Sequence, residues 1–127
     1  MIFGTGIDLS DCRRFEKWLD DDIFCHKYYS DEELSYIRSR GRGAVNSMAA
    51  GFAAKEAFGK ALGTGLAGMS LKGITVLRND KGKPYFRFDD TISNKLESCG
   101  KNPKVHLSLS HESHMAIAQV LIEVENV

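Results

Sequence analysis

The sequence predicts one domain that combines helices and hairpin-paired strands around a single long helix. Three observations lead to this. Residues 44–62 keep a helical pattern until Gly63-Thr64-Gly65 stops it, two later stretches each read as strand, turn and strand, and the N-terminal residues alternate. At 127 residues the chain can bury one modest core but not two, so a single domain over 1–127 is expected.

In residues 1–9 the odd positions Met1, Phe3, Thr5, Ile7 and Leu9 oppose a nearly bare face of Ile2, Gly4, Gly6 and Asp8. Glycines there mark a place where a ligand or another backbone comes close, on the side that carries Asp8. Ser10 or Asp11 caps a short helix through about Leu19, and Asp20-Asp21-Asp22 ends it or loops after it. Ser30 with Glu33 forms a capping box that opens a helix through about Arg38, broken by Gly41 and Gly43. The long helix runs from about Ala44 to Leu62, and the glycines after it supply the left-handed stop. Residues 73–78 and 84–88 form a hairpin around Asn79-Asp80-Lys81-Gly82-Lys83. A short polar helix, 91–98, precedes a strand over 105–109 whose polar face holds His106 and Ser108. His111-Glu112-Ser113 then turns the chain into a last strand over 115–124.

Composition excludes several classes. The chain is 43% hydrophobic and 27% charged, as expected of a soluble globular protein. Its formal charge is zero and only 9% of residues are aromatic, which leaves little for phosphate tracking or base stacking, so no nucleic-acid partner is expected. Three cysteines, none in a CxxC pair, fit a reducing cytoplasm rather than a disulfide scaffold. Neither a signal peptide nor a membrane-length apolar run is present, so no membrane role is expected.

On the long helix, Val45, Met48, Ala49 and Phe52 define one apolar direction, and Glu56 lands about 20° from it. Either Glu56 is neutralised by Lys60 one turn on, or it works as a ligand. Asp8 is a second candidate, read either as a turn former at a strand end or as a carboxylate facing a metal or phosphate ligand. Together they suit magnesium, which usually takes one or two carboxylates, whereas zinc would call for more His and Cys. Two basic segments stand out, one with Arg38, Arg40, Arg42, Lys55 and Lys60, the other spanning 72–87. They are either solvated surface or a pocket for a polyanion. His111, following Ser108 and Ser110, is either exposed or points a proton donor into a site.

Three blocks of the chain resemble the holo-acyl-carrier-protein synthases, the small single-lobed 4'-phosphopantetheinyl transferases. They are Gly6 to Glu16, Phe52 to Gly65 with its Ala-Lys-Glu-Ala run, and Leu107 to His111 continuing into Met115 to Val120. Gly82-Lys83-Pro84-Tyr85 adds a fourth, weaker match. The resemblance implies an α+β fold, a small antiparallel sheet wrapped on the long helix, assembled as a homotrimer with active sites between subunits. It implies transfer of 4'-phosphopantetheine from coenzyme A to a serine of apo acyl carrier protein, in support of fatty acid biosynthesis. By the same resemblance Asp8 and Glu56 ligate Mg2+, and Lys60 with Gly63, Thr64 and Gly65 holds coenzyme A phosphates. Gly82 and Pro84 would lie near the adenine, while Ser110 and His111 would line the cleft across the interface. Glu56, Lys60 and His111 remain alternatives for handling the proton.

The resemblance also places acyl carrier protein on Arg13, Arg14 and Lys17. Asp11, Glu16 and Asp20 to Asp22 dilute that patch, and Gly51 stands where the family often has arginine. Two rival readings are a metal-bound trimer that grips its ligand without catalysis, and a magnesium-dependent phosphohydrolase that uses water as nucleophile.

Overall fold

The computed structural model describes residues 1–126. Strand β1 (Ile2–Asp11) leads into a 3-10 turn over Cys12–Phe15, then helices α1 (Asp22–Tyr28), α2 (Asp31–Ser39) and α3 (Ala44–Leu62). A hairpin of β2 (Ile74–Arg78) and β3 (Pro84–Phe88), helix α4 (Asp90–Glu97), and a second hairpin of β4 (Lys104–Glu112) and β5 (Met115–Glu123) complete the chain. The architecture is α+β. One antiparallel sheet has the order β1-β5-β4, β2 and β3 form a separate ribbon, and α3 packs across β1 and β5.

Helix α3 has the expected bounds. It closes on Gly63, whose φ of 84° lies in the left-handed region, with the Gly63 amide donating to the Lys60 carbonyl. The capping box at Ser30 and Glu33 is complete on both sides. Alanines dominate the buried face of α3, with Ala53, Ala54, Ala57 and Ala61 shielded from solvent, and this lets the sheet approach the helix axis closely.

That approach explains the two faces of β1. A Cβ on Gly6 would lie 1.9 Å from the Ala57 carbonyl oxygen, and one on Gly4 2.1 Å from that of Ala61. The bare face therefore meets helix backbone, one of the two outcomes its glycines signal. The apolar face points outward, with Ile7 56% and Leu9 59% exposed.

Three expectations need correction. The helix expected from Ser10 or Asp11 to Leu19 is only a 3-10 turn followed by further turns. Asp11 binds the amide and guanidinium of Arg13, and Phe15, Trp18, Phe24 and Phe52 are drawn into one aromatic cluster. Asp20 to Asp22 is not simply a loop, because the Asp21 carboxylate accepts the Phe24 amide and opens α1. His111 and Glu112 belong to β4 rather than to the turn: they pair with Ala116 and Met115, and Ser113 at φ 56° begins the reversal.

Candidate functional site

Asp8 and Glu56 meet where β1 crosses α3. Because the glycines of β1 allow near backbone contact, a carboxylate on the same face is held against the helix. The Lys60 ammonium donates to the Ile7 carbonyl at 2.8 Å and to Asp8 Oδ1 at 3.2 Å, and Ser10 donates to Asp8 Oδ2 at 3.4 Å. The lysine one turn beyond Glu56 is thus ion-paired with Asp8. Burial pushes the Glu56 carboxyl above its ordinary range, the Asp8 charge pushes it further, and Lys60 opposes both.

Two neighbouring carboxylates, one of them resisting ionisation through burial first and the other's charge second, form a pair that a small hard cation would relieve. Among the described residues no cluster of three or more His, Cys, Asp or Glu side chains has metal-binding geometry. A site with two carboxylates and open positions matches magnesium, which keeps several waters and substrate oxygens in its shell. Zinc would require a more closed set of ligands.

The other expected residues lie around this crossing in separate groups. Gly63, Thr64 and Gly65 form the end of α3. Gly65 is also left-handed, and its amide donates to Gly59. Thr64 borders a cavity of about 280 Å³ together with Phe3, Lys95 and Cys99. Gly82 borders a cavity of about 410 Å³ with Glu32, Tyr36, Arg40 and Arg78, and Pro84 pairs with Arg78 at the start of β3. Ser110 and His111 border an adjoining cavity of about 250 Å³, which shares Tyr36, Arg40 and Arg78. Among the described residues no hydrogen bond or ion pair joins Ser110 or His111 to Asp8, Glu56 or Lys60.

Arg13, Arg14 and Lys17 take different roles. Arg13 is held by Asp11 at 2.7 Å, an interaction that lowers the Asp11 carboxyl to about 2. Arg14 lies 5.5 Å from the Phe15 ring centroid and Lys17 4.7 Å from that of Trp18. Both line a pocket of about 330 Å³ walled by Trp18, Phe24 and Phe52.

Sequence reasoning missed Tyr36 and Arg78. The Arg78 guanidinium carbon stands 4.4 Å from the Tyr36 ring centroid, and that of Arg40 stands 5.5 Å from it on the same ring. Neither arginine makes an ion pair with a carboxylate among the described residues. The only sequence signal was the basic character of both segments. The aromatic wall of Phe24 and Phe52 was likewise hidden, since its parts come from α1 and α3.

A compact α+β domain with a two-carboxylate crossing beside basic clefts has the features of a small phosphoryl-type group transferase. Residues 4–118 match the family model for the 4'-phosphopantetheinyl transferase superfamily. A Treponema denticola protein named holo-[acyl-carrier-protein] synthase is 47% identical over 123 residues, covering 97% of this chain and 99% of its own. Among solved structures, the holo-[acyl-carrier-protein] synthase of Neisseria meningitidis superposes with a TM-score of 0.87 at 36% identity, covering 97% of this chain and 99% of that one. The Bacillus anthracis synthase, in complex with CoA (3',5'-ADP), gives 0.81 at 35%, with 98% and 99% covered. The chain belongs to the 4'-phosphopantetheinyl transferase superfamily and, within it, to the holo-acyl-carrier-protein synthases.

Proposed function

We propose that the chain transfers 4'-phosphopantetheine from coenzyme A to a serine hydroxyl of apo acyl carrier protein, releasing adenosine 3',5'-bisphosphate and serving fatty acid biosynthesis. The observation that carries this reading is the crossing of Asp8, Glu56 and Lys60 in a chain of this family. Asp8 and Glu56 hold Mg2+ in this reading. Held there by Asp8 and Glu56, such an ion would supply neutralisation of the negative charge that builds up during phosphoryl-type transfer. Lys60, with its side chain 53% exposed, turns from Asp8 toward phosphate oxygens as the ligand enters. Glu56, which faces the crossing beside Lys60, is the proposed proton acceptor.

The pocket of Arg14, Lys17, Trp18 and Phe52 receives the carrier, an acidic helical protein, while Arg13 is largely neutralised by Asp11. Coenzyme A lies along the clefts bordered by Gly82, Ser110 and His111. The outward stripe of Phe3, Ile7 and Leu9, continued on β5 by Ile117 and Leu121, is covered by further copies in a homotrimer. That assembly brings one subunit's Ser110 and His111 toward a neighbour's crossing. The protein works in the cytoplasm: its three cysteines are free and buried, and burial raises their thiol pKa values, which keeps them protonated and unreactive. Among the described residues no helix is long and apolar enough to cross a membrane.

Incubation with coenzyme A, magnesium and apo acyl carrier protein, followed by mass spectrometry of the carrier, tests the activity. The carrier should gain one phosphopantetheine group. Cleavage of coenzyme A with the carrier mass unchanged would point to the phosphohydrolase, and binding without either product to the non-catalytic trimer. Light scattering at three times the monomer mass supports the assembly, and a monomer at working concentration overturns it.

A further inference from the structure

Lys55 precedes Glu56 on α3 but points into the protein. It is fully buried, and its ammonium donates to the Tyr28 carbonyl at 2.7 Å, the Leu71 carbonyl at 2.9 Å and Glu33 Oε1 at 2.8 Å. The Tyr29 ring centroid lies 4.8 Å away. Glu33 is equally engaged. Its Oε1 also accepts the Ser30 amide to complete the capping box of α2, and its Oε2 accepts the Val76 amide at 3.1 Å, on the edge of β2 that β3 does not pair.

Burying such a pair is a poor route to stability, because desolvating both charges offsets most of their attraction. What this pair does is join elements. The carboxylate bonds α2 to β2, and the ammonium fastens both to α3, to the end of α1 and to the turn before β2. Glu32 and Tyr36 of α2 form one wall of the 410 Å³ cleft, while Val76 to Arg78 of β2 and the loop to Gly82 form the other. The Arg78 guanidinium over Tyr36 bridges the two walls.

We infer that Glu33 and Lys55 are a positioning pair that sets the spacing of the α2 and β2 walls and registers that cleft against Glu56 on the next residue of α3. The crossing itself is packed independently, through Gly4 and Gly6 against Ala57 and Ala61. Loss of the pair therefore loosens the cleft and leaves the carboxylates in place. The consequence for coenzyme A rests on the function proposed above; the consequence for wall spacing does not.

The test is the double variant Lys55→Met/Glu33→Leu, which removes both charges and keeps apolar volume. Three properties are read: the NMR signal of the Arg78 Nε–H, which the Tyr36 ring current displaces; coenzyme A affinity by calorimetry; and Mn2+ affinity by electron paramagnetic resonance. The expected result is a folded protein whose Arg78 signal loses its ring-current shift. Coenzyme A binding should weaken about tenfold, in the range seen when supporting groups around a site are lost, with Mn2+ affinity unchanged. An unchanged Arg78 signal overturns the inference, as does a parallel loss of both ligands. If the double variant does not fold, Glu33→Gln decides: its amide nitrogen faces the Val76 N–H and breaks the bond to β2, while its amide oxygen can still accept from Lys55 and Ser30. Because Lys55 also loses its counter-ion, the signal is read at a temperature where circular dichroism shows the variant folded. The Arg78 signal should then move, and a fixed signal overturns the inference. If the parent protein does not bind coenzyme A, the proposed function fails, and the Arg78 signal alone decides the positioning role.

Discussion

Two lysine–carboxylate pairs lie little more than a turn apart on α3. Lys60 reaches Asp8 at 3.2 Å with its side chain 53% exposed, while Lys55 reaches Glu33 at 2.8 Å with none of its surface exposed. The exposed pair is screened by water and shares its acceptor with a neighbouring hydroxyl, so a ligand can replace it at little cost. The buried pair has every polar atom engaged, so nothing can enter without dismantling the site. Equal chemistry thus gives an accessible crossing in one case and a closed joint in the other, and water access makes the difference.

The largest effect should come from the exposed region. Glu56→Gln keeps the shape of the side chain and removes its charge. Transfer to the carrier should fall by about 10³-fold, roughly 4 kcal/mol of transition-state stabilisation, with no loss of folded protein. Asp8→Asn should behave in the same way. Full activity in either variant, measured by carrier mass, removes the metal-ligand role. Lys55→Met alone tests the buried region by the opposite readout. It leaves the Glu33 carboxylate buried without its cation, which should cost about 3–5 kcal/mol in urea denaturation, whereas Lys60→Met should change stability by less than about 1 kcal/mol while lowering transfer. Similar stability losses for the two lysines would erase the contrast.

The sequence made these regions unequally legible. Glu56 stands out as a charge on an apolar helix face, and Asp8 as a charge beside glycines, so both emerge without any structure. Lys55 does not, because lysine reads as surface unless paired. Its partner Glu33 already has an evident local role in the capping box, and their contact spans two helices. The inverted faces of β1 have a related cause: apolar residues normally indicate the core, but here close approach to α3 selects glycine on the inner side. Helix α1 escaped notice because seven residues give too little periodicity and the Asp20 to Asp22 run resembles a loop.

A substitution in β1 separates the two regions by packing. In Gly6→Ala the added methyl would sit 1.9 Å from the Ala57 carbonyl oxygen, a backbone atom of α3 that cannot rotate away. Strand and helix must part, at a cost of about 1–3 kcal/mol, as is typical of overpacking. Because Asp8 and Glu56 sit on the parted elements, Mn2+ affinity should fall, while the Arg78 signal, which reports the α2/β2 walls, should not move. A moved Arg78 signal with intact metal binding would show that the regions are coupled and would break the comparison.

The smallest expected effect is a pH dependence of stability that the exposed region shows without any ligand. Glu56 holds its proton more tightly in the folded protein than in the unfolded chain, first through burial and then through the charge of Asp8. Between its ordinary value near 4.5 and its raised folded value, the native state therefore binds more protons than the unfolded one, and stability falls as pH rises through that window. Above the window the ionised Glu56 destabilises the metal-free fold, and below it the penalty disappears. Glu56→Gln should accordingly be slightly more stable than the parent at neutral pH, with the difference shrinking to nothing as the pH approaches 4.5 from above. Paired urea titrations across that range measure it. An advantage of constant size would mean that the gain comes from packing, and one that grows toward acid would mean that Glu56 is stabilised by Lys60 rather than strained by Asp8.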